Sequence, residues 1–306
     1  MKIFISNLNE SWVVDRMKKE FSNYNPNIVT NDIKECDVIW IIAPWMWKKI
    51  PKRHLKSKTV VCSVHHLEEK DYSGKPLIEF YKRDKYVDFY HTISEKSKIE
   101  IRKLTSKKIV SIPFWINENI FFPIEDKSSL RSKYNLPKES YIIGSFQRDT
   151  EGKDLKSPKL IKGPDQFVEI VKSFSKRNNN LLVLLSGYRR QYLIKKLDEE
   201  NINYRYIELV DFEILNELYN CLDLYIVSSR IEGGPQAILE CGITKTPIIS
   251  TDVGIATELL SSESIFNMHN FEKAKPNIQV AYDNSIKYSL EDGMKKYQNM
   301  FEDIFK

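Results

Sequence analysis

The sequence predicts two parallel α/β domains in tandem, and three observations carry that prediction. Short runs rich in Val, Ile and Leu recur from end to end, too continuously apolar for strands with one face in water. Helical patterns fall between them, so the connections cover both faces of each sheet. One polar stretch, "FFPIEDKSSLRSKYNLPKES" over 121–140, carries Pro123 and Pro137 and shows no sustained apolar period. It splits the alternation into two blocks, assigned as 1–121 and 122–288, with 289–306 as a terminal helix. At 306 residues each block is long enough to bury a core of its own.

Taken in order, "KIFIS" (2–6), "DVIWIIA" (37–43), "TVVCSV" (59–64) and "KIVSIP" (108–113) read as strands of the first block, because β-branched residues dominate them. Helical spacing falls over 11–22 and 94–104. In the second block the strands are "YIIGSF" (141–146), "LLVLLS" (181–186), "DLYIVS" (223–228), "PIIST" (247–251) and "IFNM" (265–268). Helices are expected near 163–176, 188–199, 212–220, 235–244 and 254–261. The chain closes on a helix that puts Tyr297, Met300, Phe301 and Phe305 on one stripe. The architecture expected is two Rossmann-like domains facing each other across a cleft.

Several function classes drop out on composition. Apolar residues make up 42% and charged residues 29%, as in a soluble globular protein, and no apolar run approaches the ~20 residues of a membrane span. "MKIFISNLNES" lacks the basic-then-apolar pattern of a secretory signal, so a cytoplasmic protein is expected. Cys36, Cys62, Cys221 and Cys241 are scattered without CxxC spacing, which argues against a zinc site or a disulfide framework. A net charge of +5 is too weak to indicate nucleic acid without a recognition motif. Neither block carries G-x-G-x-x-G after its first strand, so a dinucleotide oxidoreductase is poorly supported.

In open parallel sheets ligands bind beyond the carboxyl ends of the strands. The strand ending at Ser228 runs into "SRIEGGPQAILECG" (229–242). Pro235 suits the first turn of a helix, and Gly233 and Gly234 let the backbone approach a ligand closely. A helix N-terminus attracts anions. Glu232 precedes the helix and Glu240 lies well inside it. That separation suits two hydroxyl-bearing parts of one long ligand better than a close acid/base dyad. A Gly-Gly-Pro turn alone is equally ordinary strand-to-helix punctuation.

The longer segment "SSRIEGGPQAILECGITKTPIISTDVG" (228–254) resembles the E-x7-E region of the retaining, GT-B-fold glycosyltransferases of family four. The resemblance implies that Glu232 holds hydroxyls of a donor sugar, with the Gly233 and Gly234 amides near its phosphate or ring, and that Glu240 accepts from the ribose of the nucleotide. It implies that Arg148, in "GSFQRDT", and Lys162, in "KGPDQFVEI", neutralise the donor diphosphate. Lys153, Lys156 and Lys159 are alternatives, because a polar segment separates the two. Gly144, Arg189, Arg230 and Pro235 complete the implied donor contacts. In "LLSGYRRQYL" one of Arg189 and Arg190, both expected on a helix, would meet phosphate or base while the other stays on the surface. "YRYIEL" (204–209) resembles the strand whose backbone meets the base.

In the first block His65 and His66 directly follow a strand. Standing alone they read as structural, and no third ligand completes a zinc site. The resemblance puts His65 near the donor sugar in a catalytic role and His66 on the acceptor side. His91, in "DFYHTISEKS", reads as packing. "IPFWINENIFFP" (112–123) resembles the segment that closes the first domain, with Trp115 and Ile116 replacing the usual Gly-Val. "SNLNESWVVDRM" (6–17) departs from relatives, which carry glycines there. "PWMWKKIPKRHLKSK" (44–58) sets Trp45 and Trp47 among clustered cations. These are weak acceptor-side candidates and a possible peripheral contact with an anionic membrane at its inner face. The alternative is a solvated basic loop with the tryptophans packed inward.

Together the resemblance implies a metal-independent retaining transferase without cofactor. It would move a sugar from a nucleotide-sugar, UDP- or GDP-linked, to a hydroxyl of a glycan or lipid-linked acceptor in cell-envelope polysaccharide synthesis. The last helix would return to the first domain. No side chain is an obvious nucleophile, so the leaving diphosphate would help deprotonate the acceptor. The alternatives are an epimerase or hydrolase of the same fold, and a non-catalytic sugar- or nucleotide-binding protein.

Overall fold

The computed structural model describes residues 1–6 and 13–305. Residues 7–12, which carry part of the loop singled out for its missing glycines, lie outside the described residues. The chain divides into two compact units, one of 1–115 with 290–306 and one of 116–289.

Unit 1 alternates strand and helix: β1 Ile3–Ile5, α1 Val13–Tyr24, β2 Val38–Ile41, α2 Lys52–Ser57, β3 Thr59–Val64, α3 Gly74–Asp84, β4 Phe89–Thr92, α4 Glu95–Arg102 and β5 Lys108–Ser111. The five strands are parallel and lie in sequence order. Strand β4 has no counterpart in the sequence reading, because "FYHT" lacks a continuous apolar run. Its polar members are accommodated by pairing. The Trp40 indole donates to Ser63 Oγ at 2.8 Å, Ser63 Oγ meets His91 Nδ1 at 2.8 Å, and His91 Nε2 meets the Ile112 carbonyl at 2.9 Å. His91 is therefore a structural group, tied at both ring nitrogens.

Unit 2 opens with α5 Lys127–Lys133, inside the stretch read from sequence as a linker. Asp126 caps it, accepting from Ser129 N at 2.8 Å. Then follow β6 Tyr141–Ser145, β7 Thr150–Glu151, β8 Ser157–Pro158, α6 Pro164–Ser175, β9 Leu181–Ser186, α7 Gln191–Glu199, β10 Tyr204–Ile207, α8 Phe212–Asn220, β11 Leu224–Val227, α9 Gln236–Thr244, β12 Ile248–Thr251, α10 Ala256–Leu259, β13 Ile265–Phe266 and α11 Ile278–Ser285. The main sheet is parallel with the order β10-β9-β6-β11-β12-β13. Successive residues feed opposite faces. Ile142, Leu182, Leu184, Tyr225 and Ile248 join one apolar cluster, while Ile143, Val183, Leu185, Ile226 and Ile249 join the other. The chain leaves β6 towards β9 on one side and later reaches β11 on the other. The crevice beyond the ends of β6 and β11 is therefore the topological switch point, where ligands of such sheets bind.

The final helix, α12 Leu290–Phe305, belongs to unit 1. It buries Met294, Tyr297, Met300, Phe301 and Ile304. Phe305, expected on the buried stripe, is exposed, and Ile304 takes its place. Tyr297 and Phe301 pack on Trp40 with ring centroids at 5.5 and 5.2 Å, and Phe21 and Trp115 complete the cluster. A Cβ on Gly293 would lie 2.3 Å from Trp115 Cβ, so the helix passes this ring at a distance only glycine permits. Burying side chains of this size stabilises by about 1.5–3 kcal/mol each.

Candidate active site

The loop before α6 and the loop after β11 are stitched together at the switch point. Gly163 takes φ +60°, and a Cβ there would sit 1.7 Å from the Ser228 carbonyl oxygen. Only glycine fits, on both counts. Ser228 Oγ donates to the Gly163 carbonyl at 2.8 Å, and Gln166 Nε2 donates to the Ser228 carbonyl at 2.7 Å. The Arg230 and Ile231 amides share the Ile161 carbonyl at 2.8 and 3.1 Å. Arg230 also makes a bidentate pair with Asp165 at 2.7 and 2.6 Å. Expected at the donor, Arg230 is instead committed to bracing this seam.

The seam brings Lys162 against Glu232. The ammonium pairs with Glu232 Oε1, which also accepts from Ser229 Oγ at 3.1 Å. Both side chains are mostly buried. Gln147, just beyond β6, donates to the Lys162 carbonyl at 3.0 Å and accepts from Ser229 Oγ at 3.3 Å. The turn of residues 252–254 supports Glu232 from below: a Cβ on Gly254, φ +48°, would lie 2.3 Å from the Gly233 carbonyl oxygen. Gly233 and Gly234 do not adopt positive φ. Their value is the absent side chain. Pro235 is the N-cap of α9, one residue earlier than its expected place in the first turn.

Around this pair lie further cations. The segment 149–161, read from sequence as a polar insertion, folds back as the antiparallel β7–β8 hairpin, closed where Lys159 N donates to the Asp149 carbonyl at 2.8 Å. That closure carries Lys159 into the site. Burial and the charges of Lys162 and Arg148 hold its ammonium below the usual lysine range. Lys153 and Lys156 stay exposed on the hairpin. Arg148 donates to the Thr150 carbonyl at 2.9 Å, and burial followed by repulsion from Arg189 lowers its pKa. Cations held this close repel one another, so the place gains from an incoming anion.

The two neighbouring arginines have opposite fates, and neither lies within α7. Arg189 takes φ +58° and is exposed near Arg148. Arg190 is fully buried, paired with Asp149 at 2.6 Å and donating to the Ser186 carbonyl at 2.8 Å and Ser145 Oγ at 3.0 Å. Gly144, expected to touch the donor, lies within β6. A Cβ there would meet Leu222 at 2.3 Å, so it is a packing position. Glu240 is buried in α9 with Oε2 accepting from the Tyr219 hydroxyl at 2.8 Å.

In unit 1, His65 is buried and its Nε2 lies 3.0 Å from the Ile42 carbonyl, so Nε2 carries the proton. Burial lowers its pKa to about 4. A ring so reluctant to take a proton is a poor general base near pH 7, which speaks against proton transfer as its role. His66 lies 3.8 Å from Glu68. Trp47 is buried and stacks on Tyr86 at 6.0 Å, which removes it from both the acceptor-side and the membrane-facing roles. Trp45 is 46% exposed, edge-on to His65 at 6.3 Å. Among the described residues no group of His, Cys, Asp or Glu is arranged to hold a metal, and no helix is long and apolar enough to cross a membrane.

The family model of the glycosyl transferases group 1 matches residues 126–303, more than half of the chain. No curated protein matches it. Among solved structures, Anabaena HepE in complex with UDP-glucose is similar at a TM-score of 0.76 and 10% identity, over 98% of this chain and 99% of that one. Sucrose-phosphate synthase from Thermosynechococcus elongatus gives 0.72 at 14% identity, over 98% and 80%. A glycosyltransferase from Rickettsia africae gives 0.64 at 17%, over 98% and 84%. At such identities the likeness speaks for the fold, the two-domain GT-B architecture. By the extent of the family match, the chain belongs to the glycosyl transferases group 1.

Proposed function

We propose that the protein is a retaining, metal-independent transferase that moves a sugar from a nucleotide-sugar to a hydroxyl of a glycan or glycolipid. One observation carries the reading: Arg148, Lys159 and Lys162 converge with Glu232 at the switch point of unit 2. An incoming diphosphate takes the cations, and Glu232, released from Lys162, accepts hydroxyls of the donor sugar. Glu240 accepts from the ribose. As the bond from C1 to the phosphate oxygen breaks, negative charge grows on the diphosphate, and fixed cations stabilise it without metal. The acceptor oxygen bonds to C1 on the same face, and its proton passes to the departing phosphate oxygen. UDP-sugars are the first donors to test, since structural neighbours were solved with UDP and UDP-glucose.

Thermal shift with UDP, GDP, ADP, CMP and NAD, on wild type and Glu240→Ala, tests the donor site. Stabilisation by one nucleoside diphosphate, lost in the variant, supports it; no shift with any of them refutes it. Donor turnover without acceptor would instead favour a hydrolase or epimerase. The exposed Lys49, Lys52 and Lys56 support a peripheral contact with anionic lipid, which vesicle sedimentation tests.

A further inference from the structure

Unit 1 contains a pocket of about 260 Å³ whose wall includes Trp45, Glu68, Lys70, Asp71, Phe80 and Arg83. Arg83 is the anomaly. It is 92% buried (8% exposed), its Nε is buried without a hydrogen-bond partner, and no carboxylate pairs with it among the described residues. The Phe80 ring lies 5.0 Å from its guanidinium carbon, and the guanidinium charge is felt by the buried Cys62 thiol and Tyr90 hydroxyl, neither of which is an anion at neutral pH. An orphaned Nε–H on a buried guanidinium is costly, because that donor has lost water and gained no partner. The two acids on the wall do not answer it. Glu68 is engaged with Lys70 at 2.8 Å and with the Asp71 amide, while Asp71 accepts from the Glu68 amide at 2.8 Å.

We infer that this pocket binds the anionic group of a small sugar or polyol, a phosphate or a carboxylate, through a bidentate contact with Arg83. The volume lies just below the roughly 300–1,000 Å³ of pockets for larger ligands, which suits one ring or a short polyol. The planar fork of a guanidinium matches both oxyanions, and partial burial strengthens such charge-assisted bonds. Identifying the occupant as the acceptor rests on the transfer reaction proposed above, and makes that acceptor an acidic one. The anion site itself does not depend on that reaction.

All five tryptophans lie before residue 116, so tryptophan-monitored urea unfolding reports on unit 1. The probes are glycerol 3-phosphate, glucuronate and neutral methyl glucoside, added to wild type, Arg83→Met and Arg83→Lys. At least one anionic probe raises the wild-type midpoint while the neutral sugar does not. The effective affinity falls about tenfold or more in Arg83→Met and by less in Arg83→Lys. The anion that binds more tightly distinguishes phosphate from carboxylate. Equal response of wild type and Arg83→Met, or no response of wild type to either anion, overturns the inference. Should Arg83→Met fail to fold, unchanged affinity in Arg83→Lys together with protection by the neutral sugar does so. UDP binding to unit 2, read by calorimetry on the same proteins, stays at wild-type strength, so loss of the donor reading is separately visible.

Discussion

Lowering the pH from 7.5 to 5.0 should destabilise unit 1 by about 4 kcal/mol, and the cause is a pair of histidines. Burial takes both His65 and His91 from an ordinary value of 6.5 to about 4. His91 is further fixed because its ring nitrogens meet Ser63 and the Ile112 carbonyl. In the unfolded chain each ring takes a proton near pH 6.5; in the folded protein it refuses one until near pH 4. The unfolded state therefore binds more protons across that window, and stability falls as pH falls through it. At pH 5.0 the difference is worth about 2 kcal/mol per ring. Glu79 and Glu100 have folded pKa values below the ordinary 4.5, so their contributions persist at pH 5.0 and are lost only further down. Urea unfolding followed by tryptophan fluorescence reads this in unit 1, and a typical slope converts the loss into a midpoint shift of about 2 M. His65→Gln and His91→Gln should each remove about half of the pH dependence. A midpoint unchanged between the two pH values, or histidine NMR titrations of both rings near 6.5, would refute the reasoning.

Gly163→Ala should cost about 1–2 kcal/mol for the left-handed backbone alone, plus the displacement of the Ser228 carbonyl, and should weaken nucleotide binding by moving Lys162. Calorimetry with UDP alongside thermal unfolding checks both. Lys159→Met should weaken UDP binding by about tenfold, whereas Lys153→Met and Lys156→Met leave it unchanged. Glu232→Gln should mainly lower turnover and Glu240→Ala mainly nucleotide affinity, as steady-state kinetics and direct binding would separate. Treatment with EDTA should leave transfer activity intact in an assay of donor consumption.

The strands and the Glu232–Glu240 segment were legible because their signals are local: β-branched runs, a glycine pair, a proline at a helix mouth. What sequence could not show is where distant segments close on one another. Lys159 joins the site because its amide reaches Asp149 across a hairpin, and nothing in "KDLKSPK" distinguishes it from Lys153 or Lys156. Arg189 and Arg190 look alike in sequence, yet one left-handed residue turns the first outward and the second into a buried pair with Asp149. Strand β4 escaped because its polar side chains are satisfied by partners on other strands. Arg83 carried no signal at all: a basic residue near a helix C-terminus ordinarily belongs to the surface.

Helix α12 completes the aromatic cluster of Phe21, Trp40 and Trp115, yet it is made only after the whole of unit 2. During synthesis unit 2 has all its residues before unit 1 does. The nascent amino-terminal half must therefore wait with Trp40 and Trp115 uncovered while some 170 residues of unit 2 pass through the ribosome. A stop codon between unit 2 and α12 would thus damage the part of the polypeptide made first, leaving a complete unit 2 attached to an open core and a substrate for chaperones and proteases.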